Sequence, residues 1–296
     1  MNRVPHAAFE AARITPVEHA AGIDLIRRAL GEDLRHGEYV DLTAVALEGA
    51  AMSGAIVARQ AGVVCGIALA AATMRMCEVA YAEQLVPDGT RVQPGERLLV
   101  VEGAAAPILE AERTALNILQ RLSGTATLTR AYVDAVEATG AAAVICDTRK
   151  TIPGMRALQR WAVRCGGGVN HRFGLADEAM LKDNHIAACG SIAAAVTAIR
   201  TEHPSVRIHV EADTIEQADA AAAAGADVIL LDNMSTDELR AAVSTVAGRA
   251  LTEASGGIDL TTVADVARTG VDRISVGALT HSAPAFDVAL DADPVG

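Results

Sequence analysis

The chain has 296 residues, 51% of them hydrophobic but only 2% aromatic, and a formal charge of −12 at pH 7. That length and composition exclude intrinsic disorder and call for a core of Ala, Val, Leu and Ile, as suits closely packed helices and parallel strands. The acidic balance argues against nucleic-acid binding, and the longest near-apolar stretch, residues 61–74, falls short of the ~20 residues a membrane helix needs.

Residues 1–20 lack a basic segment followed by an apolar one, so no signal peptide is expected, only a loose extension. A first helix is expected over residues 21–30. Strand candidates follow at 53–59, 63–67 and 97–102, punctuated by Pro87-Asp88-Gly89 and Pro94-Gly95. Such close spacing suggests a small α+β domain ending near residue 108. Residues 108–122 have helical periodicity, with Leu109, Leu116, Leu119 and Leu122 along one side and Arg113 at its border.

From about residue 140 the pattern changes to an apolar run, a polar or charged loop, and an Ala-rich helix, repeated several times. The runs are 142–146, 178–181, 206–210, 228–231, 250–252 and 273–276; helices are expected at 191–200, 215–224, 236–246 and 260–269. This alternation gives a parallel sheet with right-handed crossovers, and a closed or nearly closed barrel fits it best. No GxGxxG follows a strand and no GxxxxGK[ST] occurs, which removes the main support for dinucleotide and P-loop sites. Five cysteines without a CxxC pair suggest reduced thiols in a cytoplasm.

Charge is unevenly spread. Seven Lys or Arg residues against two acids, Asp177 and Glu178, lie between Arg149 and Lys182. The two lysines among the chain's 25 Lys and Arg residues, Lys150 and Lys182, both lie in this island. Such an island is either an ion-paired face or an anion site. The C-terminal ends of barrel strands carry the active site, and here they hold Asp147-Thr148-Arg149-Lys150, Lys182-Asp183-Asn184-His185, Glu211-Ala212-Asp213, Asp232-Asn233, Ser255-Gly256-Gly257 and Gly277-Ala278. Glycines at the last two ends suit close approach to a phosphate. Glu211 and Asp232 end consecutive runs and suit Mg²⁺ beside a polyphosphate, or stabilisation of a sugar cation. His171 and Arg172, after Gly166-Gly167-Gly168, offer planar donors to carboxylates.

The motifs ERTALN (112–117), DTRKT (147–151), PGMRALQRWAVRCGGGVNHR (153–172), LKDNHI (181–186), LLDN (230–233), EASGGI (253–258) and SVGALTHS (275–282) together resemble the quinolinate phosphoribosyltransferase family. The resemblance implies an incomplete seven-stranded α/β barrel with an N-terminal α/β sandwich domain. On that basis the division is 1–20 extension, 21–118 sandwich domain, 119–282 barrel, and 283–296 packing back on the N-terminal domain. It implies transfer of phosphoribose from phosphoribosyl pyrophosphate to quinolinate with Mg²⁺, giving nicotinate mononucleotide, CO₂ and pyrophosphate on the route to NAD. It also implies a homodimer or higher homo-oligomer with shared active sites, Arg113 reaching into the partner's site.

By the same resemblance, Thr148, Arg149, His171 and Arg172 bind quinolinate, and Lys150 and Lys182 lie at the reacting groups. Glu211 and Asp232 contact ribose and metal. Ser255, Gly256, Gly257, Val276, Gly277 and Ala278 receive phosphate. Two departures stand out: His209, where the family commonly has an acid, and the altered segment 32–43. Other readings are a paralogue of the same fold associated with molybdenum uptake clusters, an aldolase-like barrel using Lys182 as a Schiff-base amine, and a catalytically silent ligand-binding protein.

Overall fold

The computed structural model describes residues 12–34 and 41–293. The chain forms two compact units: residues 1–130, 152–167 and 282–296 make the first, and residues 131–151 and 168–281 the second. Residues 1–11 of the expected extension, the stretch 35–40 of the altered segment and residues 294–296 lie outside the described residues.

The first helix, α1 (Pro16–Leu34), begins earlier than expected. Thr15 accepts the Glu18 N–H while Glu18 accepts the Thr15 N–H at 2.8 Å, so Thr15-Pro16-Val17-Glu18 is a capping box with proline at the first helical position.

The main sheet of the first unit is antiparallel, in the order β12-β1-β5-β3. Its strands are β1 (Ala51–Ala58), β3 (Tyr81–Gln84), β5 (Arg97–Ala104) and β12 (Val288–Ala292), with a short β2 (Gly62–Val63) and β4 (Arg91–Val92) pair beside it. The helix α2 (Ile67–Met76) is buried on nearly every side, as its largely apolar sequence demands, with Arg75 in its last turn. Asp88, from the turn read as mere punctuation, accepts the Gly66 and Ile67 N–H groups at 2.7 and 2.9 Å. Burial pushes its carboxyl up to about 6, against these donors.

The expected boundary between residues 118 and 119 falls inside one helix, α3 (Ala105–Glu137). Its buried face runs through Ile108, Ala111, Ala115, Leu119 and Leu122, whereas Leu109 is 38% exposed. The alanines, which contribute little to an apolar pattern, are what let the helix approach its neighbours closely.

The second unit carries a parallel six-stranded sheet in the order β6-β11-β10-β9-β8-β7. The strands are β6 (Val144–Cys146), β7 (Ala179–Leu181), β8 (Ile208–Ala212), β9 (Val228–Asp232), β10 (Leu251–Ser255) and β11 (Arg273–Ser275). Seven strands were expected. The seventh place is a single parallel bridge, Val169 to Cys146. Of the three glycines before Val169, Gly166 and Gly167 (φ 88°) are taken up in the turn that ends the preceding helix, which leaves little chain there for a strand.

Between strands run α5 (Asp183–Cys189), α6 (Ile192–Glu202), α7 (Ile215–Ala223), α8 (Thr236–Val246) and α9 (Val263–Ala267). Ser191, Thr214 and Ser235 cap α6, α7 and α8 by accepting backbone N–H groups. The expected helix at 260–269 shrinks to α9, because Asp259 ties residues 261 and 262 into a turn first.

Residues 152–167 were expected in the barrel but group with the first unit. They hold a helix not foreseen, α4 (Arg156–Cys165), whose fully buried Trp161 donates to the Ala12 carbonyl at 2.7 Å. All five cysteines carry free thiols. No helix among the described residues is long and apolar enough to cross a membrane.

Candidate active site

The basic island divides between the two units. Arg156, Arg160 and Arg164 lie on α4 in the first, where Arg164 pairs with Glu18 at 2.7 Å. Burial pushes the Glu18 carboxyl up, but Arg164 and Thr15 outweigh it and hold it below its usual range. For Arg164, then, the ion-paired-face reading holds. Arg149, Lys150, Arg172 and Lys182 belong to the second unit and line one cavity of about 330 Å³. Thr148, His171, Met180, Glu211, Leu230, Asp232, Glu253, Ser255 and Ser275 complete its wall.

Position in the sheet explains this gathering. Parallel strands align all their C-terminal ends, so residues far apart in sequence meet over one rim. Lys182 follows β7 and pairs through Nζ with Glu211 near the end of β8. The carboxylates of Glu211, Asp213 and Asp232 bring oxygens within 4.8 Å of one another. Asn233 adopts φ 55°, donates through Nδ2 to Asp232 at 2.7 Å, and packs against Gly256. A Cβ on Gly256 would lie 2.9 Å from the Asn233 backbone nitrogen, and its φ of 94° is in the left-handed region, so no other residue fits there.

Of the expected phosphate-binding residues, Ser255 is in the cavity wall, and Gly256, Gly257, Val276, Gly277 and Ala278 lie in the adjoining loops after β10 and β11. The second loop leads into α10 (Ala278–His281) and packs on Lys150. Thr280 donates to the Lys150 carbonyl at 2.8 Å, and a Cβ on Gly277 would come 3.1 Å from Lys150 Cδ. Arg113 is exposed on α3 of the first unit.

The wall behind His171 depends on residues whose role sequence reasoning missed. Asp147, fully buried, accepts the His171 backbone N–H at 2.8 Å and Asn170 Nδ2 at 2.5 Å, which fixes the loop after Gly168. His171 Nδ1 accepts the Arg172 N–H at 2.7 Å, so the ring proton resides on Nε2, which faces Glu253 Oε1 at 3.3 Å. His171 thus lines the cavity with Nδ1 engaged by the chain and Nε2 beside Glu253.

Glu253, in the middle of β10, is fully buried and accepts Ser275 Oγ. Burial pushes its carboxyl up, but His171, Ser275 and His209 together outweigh this and hold it below the usual range. His171, His209 and Glu253 also have the mutual spacing of a metal trio. A metal on His171 Nε2 would need the proton on Nδ1, where the Arg172 N–H already points, so this trio does not fit a cation. Glu253 Oε2 and His209 Nδ1 are buried without a hydrogen-bond partner, each at a cost of about 1–3 kcal/mol.

Electrostatically the cavity is poised for an anion. Burial first, and then the neighbouring Arg149 charge, pull the Arg172 guanidinium below its ordinary range. Two guanidiniums held close repel each other until an anion enters between them. Lys182, half-exposed and paired with Glu211, lacks the apolar, desolvated setting of a Schiff-base amine, which disfavours the aldolase-like reading.

Comparison with known proteins agrees with this geometry. The quinolinate phosphoribosyl transferase N-terminal domain model matches residues 41–123 and the C-terminal domain model residues 125–291. A carboxylating nicotinate-nucleotide pyrophosphorylase of Mycobacterium leprae (strain TN) is 46% identical over 287 residues, covering 94% of this chain and 99% of that protein. Quinolinate phosphoribosyltransferase [decarboxylating] 1 of Nicotiana glauca is 39% identical over 313 residues, covering 97% of this chain and 87% of that protein. The solved nicotinate-nucleotide pyrophosphorylase of Francisella tularensis superposes with a TM-score of 0.90 at 36% identity, over 96% of this chain and 99% of that one. The chain belongs to the quinolinate phosphoribosyltransferase family.

Proposed function

We propose that the chain transfers the phosphoribosyl group of phosphoribosyl pyrophosphate to quinolinate, releasing pyrophosphate and CO₂ and leaving nicotinate mononucleotide for NAD synthesis. The observation that carries this reading is the single cavity in which Arg149, Lys150, Arg172 and Lys182 face Glu211 and Asp232. Two carboxylates and a pyrophosphate need dense positive charge, and a reacting sugar needs negative charge nearby; this cavity supplies both.

In the first step the pyridine nitrogen bonds to the ribose anomeric carbon as the bond to pyrophosphate breaks. Positive charge builds on the sugar, and the Glu211 and Asp232 carboxylates stabilise it. Arg149 and Arg172, with Thr148, grip the two carboxylates of the ring, while Lys150 and Lys182 meet the phosphoribosyl donor. In the second step the carboxylate next to the ring nitrogen leaves as CO₂. Its electron pair stays on the carbon, stabilised by the now cationic ring, and a proton from water replaces it. No nucleophilic side chain is required; positioning and electrostatics suffice.

The oxygen-only set of Glu211, Asp213 and Asp232 fits Mg²⁺, which takes one or two carboxylates together with phosphate oxygens. Bound there, the ion would neutralise charge on the departing pyrophosphate. Ser255 and the glycine loops after β10 and β11 receive the phosphate groups. We place the reaction in the cytoplasm, consistent with five free thiols, and in a homodimer or larger homo-oligomer in which Arg113 completes the partner's site.

Mixing the protein with quinolinate, phosphoribosyl pyrophosphate and Mg²⁺ is expected to yield nicotinate mononucleotide and CO₂ in equal amounts. Turnover of nicotinate but not quinolinate would defeat the assignment. For the shared site, inactive Arg113→Ala and Lys182→Ala proteins are expected to regain part of the activity when mixed and reassembled, because one of the two sites in a heterodimer is then intact. No recovery would count against it.

A further inference from the structure

We propose that Glu178 and His209 are positioning residues for the aromatic dicarboxylate, holding the Arg172–His171 wall from behind; this rests on the quinolinate reading. Arg172 and His171 line the cavity, and what fixes them decides how well the ring is gripped. Glu178, just before β7, bonds in two directions. Its backbone carbonyl accepts Arg172 Nη1 at 3.1 Å. Its carboxylate meets His209 Nε2 at 2.8 Å and Arg207 Nη1 at 3.1 Å. The guanidinium at the cavity is thus tied, through one residue, to the neighbouring strand β8.

His209 completes the brace. It is fully buried in β8, opposite Met180 of β7 in the sheet register. Its ring centroid lies 4.7 Å from that of His171, with the planes tilted by 39°. The ring therefore touches both members of the wall, His171 directly and Arg172 by way of Glu178. Its Nδ1 is buried without a hydrogen-bond partner. A branched apolar residue would fill the same space without that cost, so packing alone does not account for the imidazole. On its other side the same loop is anchored by Asp147 to Asn170 and the His171 backbone. The segment is clamped at both ends, and Glu178 is the clamp on the β7 side.

The test is steady-state kinetics on the whole enzyme with each substrate varied in turn. Glu178→Ala cuts the side-chain tether and is expected to raise the KM for quinolinate about tenfold, with kcat and the KM for phosphoribosyl pyrophosphate changing less than about twofold. Glu178→Gln keeps an oxygen for His209 and Arg207 and is expected to recover most of the loss. Should Glu178→Ala fail to fold, His209→Gln, which keeps a donor towards Glu178 but loses the ring, carries the same expectation of a selective rise for quinolinate. If the wild type works but both KM values move together, or neither moves, or Glu178→Gln is as impaired as Glu178→Ala, the inference is overturned and the assignment stands. If the wild type makes no nicotinate mononucleotide, the assignment fails and takes the inference with it.

Discussion

Glu211→Gln is expected to lower kcat by about two to three orders of magnitude while leaving the thermal midpoint almost unchanged. The amide keeps the shape of the carboxylate but not its charge, and the charge is what opposes the cation growing on the ribose. Stability is insulated because the Lys182 side chain of the Lys182–Glu211 pair is 48% exposed, though that of Glu211 is only 12% exposed, and the glutamine amide oxygen can still accept from the lysine. Measurement of kcat at saturating substrates, alongside a thermal melt, checks both halves. A loss of less than tenfold would mean that Glu211 does not face the reacting carbon.

Glu253→Ala is expected to do the reverse and damage the fold first. Removing this carboxylate leaves Ser275 Oγ without its buried acceptor and opens a cavity beside His171, and each buried polar group left unsatisfied costs about 1–3 kcal/mol. Urea unfolding monitored at neutral pH measures the loss; a change below about 1 kcal/mol would show that the network contributes nothing. The acid side provides a second check. The folded carboxyl is held below its ordinary 4.5, so the unfolded chain takes up the proton first. The contribution of Glu253 is therefore complete above about pH 4.5 and is lost as pH falls through the lower folded value. Glu253→Gln, already neutral, should lack this part of the acid dependence.

These two glutamates also mark what a sequence discloses. Glu211 was legible because it ends an apolar run just before a loop, where strand ends of a barrel carry function. Lys182, Asp232 and Ser255 were visible for the same reason, and one cavity gathers them. Glu253 occupies the middle of a strand, where an acid looks like an exposed alternate position. Only Ser275 on the adjacent β11, His209 on β8 and His171 in the loop after Val169 make it a buried hub, and such gathering is not written locally. Charge density misled in a similar way. The island seemed a single feature because its residues are close in sequence, yet α4 carries three of its arginines into the first unit. Leu109 drew attention as the larger side chain, whereas the helix buries the row of alanines beside it.

The sheet of the first unit has a consequence for how the chain reaches its fold. Strand β1 lies between β5 and β12, and the ion pair joining its end to β12, Arg59 with Asp291, spans 232 residues of sequence. During synthesis β1 and β5 emerge early, but β1 keeps an open row of peptide groups until β12 arrives. The unit that starts first is thus completed only after the barrel segments have been made, and contacts of such sequence separation form slowly. In that interval the free edge of β1 is where nascent chains can pair with one another, so crowding at the ribosome bears on the yield of this enzyme as directly as the strength of its finished core.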